Sequence, residues 1–289
     1  MKFPWHKYEE IETKRRNTLQ VFITNACNLH CNGCFARNVM GNTQNHMQIE
    51  EYQRVIKDFL AVGGRQINLL GGEPLLHPNL KTMIDINRSK SIKTTIYTNG
   101  HFLNRFNPED FKDTKLRISL YCKSGGVKSY EELPKSDIPF EVCFMVSKTT
   151  ALEELLETAE QIETKQKCDV FFISSIRELD NPKKEFFQDT KMTMPVLEYK
   201  QLVHDFLDKY DGKMQIHVSK RGVFESTKTP ADNRCRFANY FIGGKVIQCP
   251  YDVVNLKFQQ DYTFGQRSCQ QSSTCLMSKI ILKRKPQKQ

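Results

Sequence analysis

The chain has 289 residues, of which 39 % are hydrophobic and 26 % are charged. That is enough for one core of roughly 200 residues and a smaller appendage, so the composition predicts a soluble globular protein. The N-terminal segment Met1–Arg16 lacks the apolar run of a secretory signal, and no stretch approaches the roughly 20 apolar residues that a bilayer span requires. We therefore expect a cytoplasmic protein with no membrane partner.

The formal net charge is +10, and part of it is concentrated at one end of the sequence. Between Tyr262 and Gln289 there are six Lys or Arg residues and no acidic residue. Such a segment can attract an acidic protein or a nucleic acid. Because charge runs usually reflect solvation, we interpret it first as a basic, solvent-facing tail.

Short apolar runs alternate with helical patterns along most of the chain. The runs are too short for helices and rich in Ile, Val and Phe, which is typical of strands in a parallel sheet. In chain order, the pattern predicts strands at Leu19–Thr24, Gln66–Leu70, Lys93–Tyr97, Leu116–Leu120, Phe140–Val146 and Val170–Ser174. The predicted helices are Ile49–Val62, Asn79–Ser89, Ala151–Glu163 and Val196–Tyr210. This alternation favours an α/β architecture.

The pattern changes near Ser219. Two β-type runs, Asn239–Ile242 and Lys245–Gln248, flank Gly243-Gly244, which is a two-residue hairpin signal. The sequence therefore predicts three parts: an N-terminal extension at 1–17, the strand–helix domain at 18–218, and a small cysteine-bearing module with the basic tail at 219–289.

Three of the ten cysteines lie close together after the first predicted strand, at Cys27, Cys31 and Cys34. In a reducing compartment, clustered cysteines are better interpreted as metal ligands or reactive thiols than as disulfides. A structural zinc site needs four ligands, and so does a [4Fe–4S] cluster that is held entirely by protein. Three thiolates on such a cluster would leave one iron open to a small molecule.

Further motifs end the next three predicted strands: "GGEP" at 71–74, "YTNG" at 97–100 and "ISLYC" at 118–122. With the CxxxCxxC spacing of the three cysteines, this order resembles the radical S-adenosylmethionine (radical SAM) enzymes. The resemblance spans about residues 18 to 175 and implies a partial (β/α)6 TIM-like barrel that binds a site-differentiated [4Fe–4S] cluster and S-adenosylmethionine (SAM).

The resemblance also implies roles for single residues. The GGEP motif, formed by Gly71, Gly72, Glu73 and Pro74, would hold the amino group of SAM, with the two glycines letting the backbone approach the ligand. A branched side chain at Gly72 is then expected to weaken SAM binding and leave the iron in place. Polar contacts to the ribose and carboxylate of SAM fall to Asn99 and Ser119. The family's aromatic residue before the third cysteine is replaced here by Gly33, with Phe35 following that cysteine near the adenine.

Four more cysteines lie in the last 55 residues, at Cys235, Cys249, Cys269 and Cys275. The segment from Cys235 through the hairpin glycines to Cys249 resembles the start of the twitch or SPASM extensions, which carry auxiliary [4Fe–4S] clusters. Four thiols suit one saturated auxiliary cluster, and a Zn(Cys)4 site is the alternative because zinc accepts the same ligands.

The implied activity is reductive cleavage of SAM to a 5′-deoxyadenosyl radical that abstracts hydrogen from a substrate. Oxidative modification of a peptide or protein, or dehydrogenation of a small polar metabolite, is the leading hypothesis, with a flavodoxin or ferredoxin as electron donor. Cys122, just past the strand that carries Ser119, is a candidate thiol donor. The alternative from another class is a non-catalytic zinc-binding protein whose basic tail binds nucleic acid.

Overall fold

The computed structural model describes residues 6–11, 16–31, 34, 45–121, 137–165, 167–176, 194–219, 236–248 and 279–286. The strands in these ranges are β1 (Tyr8–Ile11), β2 (Thr18–Thr24), β3 (Gln66–Gly71), β4 (Lys93–Thr98), β5 (Thr114–Tyr121), β6 (Phe140–Val146), β7 (Cys168–Ser175), β8 (Gln215–Ser219), β9 (Phe237–Phe241), β10 (Lys245–Ile247) and β11 (Lys279–Arg284). The α-helices are α1 (Ile49–Ala61), α2 (Leu80–Ser89), α3 (Leu152–Lys165) and α4 (Val196–Lys209).

The six strands and four helices predicted from hydrophobic periodicity are confirmed, with ends that differ by at most two residues. These elements are recognisable in the sequence because the strands are short, largely apolar runs and the helices show an apolar stripe at helical spacing. β8 was not predicted, since Gln215–Ser219 has only five residues and polar positions within it.

All eleven strands join one sheet, in the order β1-β11-β8-β7-β6-β5-β4-β3-β2-β9-β10. Strands β2 to β8 are mutually parallel, each paired with its neighbour in sequence. Parallel pairing brings the carboxyl ends of these strands to one edge of the sheet. The carboxyl ends of β2, β3, β4 and β5 therefore lie side by side, and the sequence motifs lie at or directly after these ends.

The two faces of the sheet differ in what covers them. One face packs against all four described helices in a single core that includes Val21, Leu69 and Ile118 of the sheet and Phe59 and Phe206 of the helices. Because side chains alternate along a strand, the neighbouring residues point to the other face, which we call the site face. No helix among the described residues is long and apolar enough to cross a bilayer.

The hairpin region extends the main sheet. β9 and β10 are antiparallel, and Gly243 and Gly244 between them have φ of +82° and +83°, which suits glycine in a tight hairpin turn. β9 also pairs in parallel with β2, so the hairpin continues the sheet that holds the first motif. Closure of this sheet into a partial barrel, the cysteine-rich nature of the hairpin extension, and the division at 1–17, 18–218 and 219–289 stay predictions.

The interpretation of the basic end as a solvent-facing tail is wrong for residues 279–284. These residues form β11, which pairs with β8 on one side and with β1 on the other. Ile280, Ile281 and Leu282 are buried, and each such side chain contributes about 1.5–3 kcal/mol on burial. The sequence hides this strand because its apolar run has only three residues and basic residues flank it on both sides.

Candidate metal and cofactor site

Cys27, Cys31 and Cys34 lie on the loop that leaves the carboxyl end of β2, and all three are partly exposed. The backbone N–H of Cys34 donates to the carbonyl of Cys31 at 3.3 Å, which brings the second and third cysteines close together. The N–H of Leu29 donates to the Cys27 sulfur at 3.4 Å. We call this segment, residues 25–34, the cysteine loop.

Thr24, the last residue of β2, fixes the start of the cysteine loop. Its hydroxyl accepts a hydrogen bond from the N–H of Ala26 at 3.0 Å and lies 2.9 Å from Nδ1 of His46. The same side chain therefore connects the beginning of the loop to the chain that returns from it at residues 45–47. Thr24 is fully buried, so this anchor is shielded from water.

The GGEP segment lies directly against the cysteine loop. The N–H of Gly72 donates to the carbonyl of Thr24, and the N–H of Glu73 donates to the carbonyl of Ala26, both at 2.8 Å. These two bonds continue the pairing of β2 with β3 beyond the ends of the strands. Two loops from neighbouring strands are thus joined backbone to backbone.

The close approach of these loops explains both glycines. A Cβ at Gly71 would overlap the carbonyl oxygen of Thr24, and a Cβ at Gly72 would overlap the carbonyl of Ala26 and lie 2.8 Å from the Cβ of Cys27. Sequence reasoning attributed the glycines to the approach of a ligand. The structure adds a cause within the protein, which is the contact between Gly72 and the cysteine loop.

The carboxylate of Glu73, which is fully buried, joins the GGEP segment to the loop after β4. One oxygen accepts from the N–H of Leu75 at 2.9 Å and from the hydroxyl of Thr98 at 2.6 Å. The other accepts from the N–H of Asn99 at 2.7 Å. Pro74 begins the short 3-10 helix that Glu73 caps. A buried carboxylate is stable only when donors satisfy its oxygens. Since Thr98 and Asn99 supply two of these donors, Glu73 holds the loop after β4 against the GGEP segment.

Asn99 reaches the cysteine loop with its side chain. Its Nδ2 donates to Oδ1 of Asn28 at 2.8 Å, and its Oδ1 accepts from the N–H of His101 at 3.0 Å. The expected contact of Asn99 with SAM stays a prediction.

Ser119 is half-buried on β5 and pairs with Cys143 of β6 in the register of the sheet. The contacts of Ser119 with SAM likewise stay predictions. Tyr121, two residues further along the same face, lies at the cysteine loop. Burial is the largest cause that raises the pKa of Tyr121, followed by the charges of Cys31 and Cys34. Sequence reasoning missed Tyr121, although its place at the carboxyl end of the strand could have indicated it.

Cys34 packs against an apolar cluster on the site face, formed by Phe22, Leu70, Phe241 and Ile247, with Tyr97 beside it. The rings of Phe22 and Phe241 stack at 4.2 Å between centroids. Burial raises the pKa of the Cys27 thiol, and the charges of Glu73 and Cys34 raise it further, against the lowering effect of the Leu29 N–H. The thiols therefore lie at the border between an apolar layer and solvent.

A buried ion pair lies on the site face beside this layer and was not predicted. Arg117 donates to the Glu141 carboxylate through Nε at 3.1 Å and through a second nitrogen, and to the Tyr97 hydroxyl at 2.9 Å. Burial alone would raise the pKa of Glu141, but Arg117 and Lys115 outweigh it and hold the pKa at about 2. A glutamate in the otherwise apolar run "FEVCFMV" was the available signal.

His77, in the segment that follows GGEP, is a neutral structural residue. Its Nδ1 accepts from the N–H of Asn79 at 3.0 Å and its Nε2 lies 3.1 Å from the Met47 carbonyl. Burial is the main cause that lowers the pKa of His77 to about 4. The neutral ring therefore holds the returning chain at Met47 against the loop after β3.

Several predicted site residues lie outside the described residues: Phe35, Cys122, Cys235, Cys249, Cys269 and Cys275. In the part of the chain that the structure describes, no three His, Cys, Asp or Glu side chains form a group suited to one metal ion. A four-iron cluster makes a different demand, because each thiolate binds its own iron. The chemistry of the three thiols, with an N–H directed at one sulfur, fits that group.

Comparison with known proteins gives a family match over residues 21–137, to the model described as the Radical SAM superfamily. The GTP 3′,8-cyclase of Synechocystis sp. is 29 % identical over 122 residues, which cover 42 % of this chain and 37 % of that protein. The GTP 3′,8-cyclase of Aquifex aeolicus is 28 % identical over 192 residues, which cover 63 % of this chain and 56 % of that protein. The matches thus span about a third to just over half of these relatives.

Solved structures share the fold. Streptococcus suis SuiB bound to precursor peptide SuiA aligns with a TM-score of 0.66 at 15 % identity, covering 88 % of this chain and 63 % of that one. Native anSMEcpe with bound AdoMet aligns with a TM-score of 0.60 at 14 % identity, covering 89 % and 80 %. The mixed α/β fold with a central parallel sheet is shared with these two structures. The Radical SAM superfamily model matches less than half of the chain, and the solved structures show a shared fold.

Proposed function

We propose that this protein is a radical SAM enzyme in which Cys27, Cys31 and Cys34 hold a [4Fe–4S] cluster and the GGEP segment holds SAM beside it. The observation that carries the proposal is the pair of backbone hydrogen bonds from Gly72 and Glu73 to the cysteine loop. They make the cysteine loop and the expected SAM-binding segment one structural unit. When bound, the cluster supplies the electron that cleaves a carbon–sulfur bond of SAM to methionine and a 5′-deoxyadenosyl radical.

The residues of the chain would bind the cluster and SAM, orient them and exclude water from the site. Three thiolates leave one corner of a four-iron cluster without a protein ligand, which is where the amino and carboxylate groups of SAM would bind. Glu73 fixes the neighbouring loops from a fully buried position. The apolar cluster around Phe22 and Phe241 shields one side of Cys34 from solvent, which favours a site that protects a reactive radical.

For the substrate we propose a peptide or a small polar molecule, from which the radical removes hydrogen in an oxidative modification. Two kinds of relative support these classes: SuiB is described as bound to a precursor peptide, and the curated relatives are named GTP 3′,8-cyclases. Because fold alone does not define a reaction, product analysis with a precursor-type peptide and with GTP must choose between them. Cys122 stays a candidate thiol donor in either reaction.

The proposed function is tested on protein reconstituted with iron and sulfide without oxygen. We expect a brown protein that cleaves SAM to 5′-deoxyadenosine when reduced with dithionite. A colourless protein that retains zinc and leaves SAM intact would instead support the alternative, a non-catalytic zinc protein whose basic end binds nucleic acid. Metal analysis and chromatography of SAM products separate the two.

We propose that the basic C-terminal segment docks an acidic electron donor such as a flavodoxin or ferredoxin. Deleting residues 279–289 would be a poor test, because it removes β11 from the sheet. Replacing Lys283, which is exposed, and Lys288, which lies outside the described residues, by Glu should instead slow turnover with a protein donor and leave turnover with dithionite unchanged. The difference should shrink with added salt, because surface charges are screened beyond about 8 Å at physiological ionic strength.

The matched control for the donor experiment is the same charge change on the helix side, with Lys57 and Lys90, both exposed, replaced by Glu. This control should leave turnover unchanged both with the protein donor and with dithionite. Equal slowing by both charge reversals would mean that net charge, and not docking at this segment, controls the rate.

We also propose one auxiliary cluster on Cys235, Cys249, Cys269 and Cys275. The proposal is supported by the presence of four cysteines, because four thiolates bind all four irons of such a cluster. Changing Cys249 and Cys275 to Ala should lower iron from about eight to about four atoms per chain, by the four-iron count of each cluster. Iron analysis of the reconstituted protein measures this, and one zinc atom per chain in the parent protein would favour the Zn(Cys)4 alternative.

A further inference from the structure

We propose that the hydrogen bond between the side chains of Asn99 and Asn28 is a positioning device that sets the reduction potential and the retention of the cluster on Cys27. We call this pair the asparagine bridge. The inference deepens the proposed function and rests on it. Asn99 would act through Cys27, and its role is thereby distinct from the expected contact of Asn99 with SAM.

The asparagine bridge is held in one orientation from the side of β4. The backbone N–H of Asn99 donates to the buried Glu73 carboxylate at 2.7 Å, which fixes the main chain. The N–H of His101 donates to Oδ1 of Asn99 at 3.0 Å, so the oxygen of the amide faces its own loop. The Nδ2 group is then left to point at Asn28, where it donates to Oδ1 at 2.8 Å.

Asn28 lies between Cys27 and Leu29, and the backbone N–H of Leu29 donates to the sulfur of Cys27 at 3.4 Å. Asn28 itself is exposed, and so is His30 two residues further along the loop. A side-chain hydrogen bond to Asn99 therefore restrains the peptide that presents this N–H.

An N–H directed at a ligating sulfur stabilises negative charge on that sulfur. Reduction adds one negative charge to a cluster, so such donors raise its reduction potential. Partners of a metal ligand also decide how well the ligand is held, and their loss typically costs about 10–100-fold in metal affinity or activity. The asparagine bridge should therefore affect both properties in the absence of SAM.

The experiment measures reconstituted full-length protein without SAM. In Asn99→Ala and in Asn28→Ala we expect the midpoint potential, from a redox titration followed by electron paramagnetic resonance, to fall. Iron loss to a chelator should become about 10-fold faster. The double variant should resemble either single one, because the two side chains form one interaction. Asn104→Ala, an exposed asparagine five residues away, is the control and should match the parent protein.

Two results overturn the inference and are distinguishable. A parental potential and parental iron loss in both single variants would overturn the asparagine bridge alone, and weaker SAM binding in Asn99→Ala would then assign Asn99 to the ligand. A parent protein that takes up zinc and no reducible cluster would overturn the proposed function together with it. If Asn99→Ala fails to fold, Asn28→Ala on the exposed loop decides, because no described contact of its side chain except Asn99 is removed.

Discussion

Cys31→Ala abolishes the formation of 5′-deoxyadenosine and lowers bound iron by about four atoms per chain, the content of one cluster. Three thiolates are the minimum for a cluster with one open iron, and the cysteine loop contains three cysteines. We expect the rate of SAM cleavage to fall by more than about 100-fold. Loss of a residue that only hydrogen-bonds to a metal ligand typically costs about 10–100-fold, and loss of the ligand itself should cost more. Chromatography of SAM products and iron analysis measure the two effects.

Cys168→Ala is the matched control for this substitution. Cys168 is buried at the start of β7, in the core on the helix face, and its thiol donates to the Val170 carbonyl at 3.3 Å. Its removal should cost some stability and leave iron content and SAM cleavage at parental levels. SAM cleavage at the parental rate in Cys31→Ala would contradict the assignment of the cysteine loop.

Most of the sheet was predictable because its strands follow simple rules. Strands buried on both faces, such as Phe140–Val146, appear as largely apolar runs, and the motif residues come at the carboxyl ends of β2 to β5. Parallel order then places Cys27, Gly72 and Asn99 on neighbouring loops without any knowledge of coordinates. The helices were predictable for a similar reason, since one apolar stripe faces one core.

The parts that were missed depend on partners distant in sequence. β11 is a strand because Ile280 and Leu282 find β8 and β1, which lie about 60 and 270 residues away in the chain. Arg117 is buried because Glu141 meets it from the next strand. Neither pairing is visible in a local window, although the glutamate within the apolar run of β6 was a signal that a charged partner lies near.

Gly72 shows the same limit within a correctly identified motif. Sequence reasoning explained its lack of a side chain by the approach of SAM, and from that it expected Gly72→Val to lose SAM affinity and retain iron. The structure places the carbonyl of Ala26 and the Cβ of Cys27 where a side chain would go. Only the position of the cysteine loop beside GGEP reveals this contact.

We therefore expect Gly72→Val to lose iron as well as SAM affinity. A branched side chain would push Ala26 and Cys27 away from the GGEP segment and break the hydrogen bond from the Glu73 N–H to the Ala26 carbonyl. Backbone cannot move aside as a flexible side chain can. Since a displacement of about 1 Å at a reacting centre can cost about 100-fold in rate, SAM cleavage should fall at least that far.

Gly212→Val is the control that separates a local effect from general destabilisation. A side chain at Gly212 would meet the side chains of Glu163 and Tyr210, near the amino end of β8 and thus at the opposite edge of the sheet from the cysteine loop. It should lower the melting temperature and leave iron per folded chain unchanged. If Gly72→Val retains parental iron while calorimetry shows weakened SAM binding, the cysteine loop tolerates the side chain and the ligand alone accounts for the glycine. Loss of iron in Gly72→Val, with iron retained in Gly212→Val, would mean that the contact of Gly72 with the cysteine loop keeps Cys27 in place for the cluster.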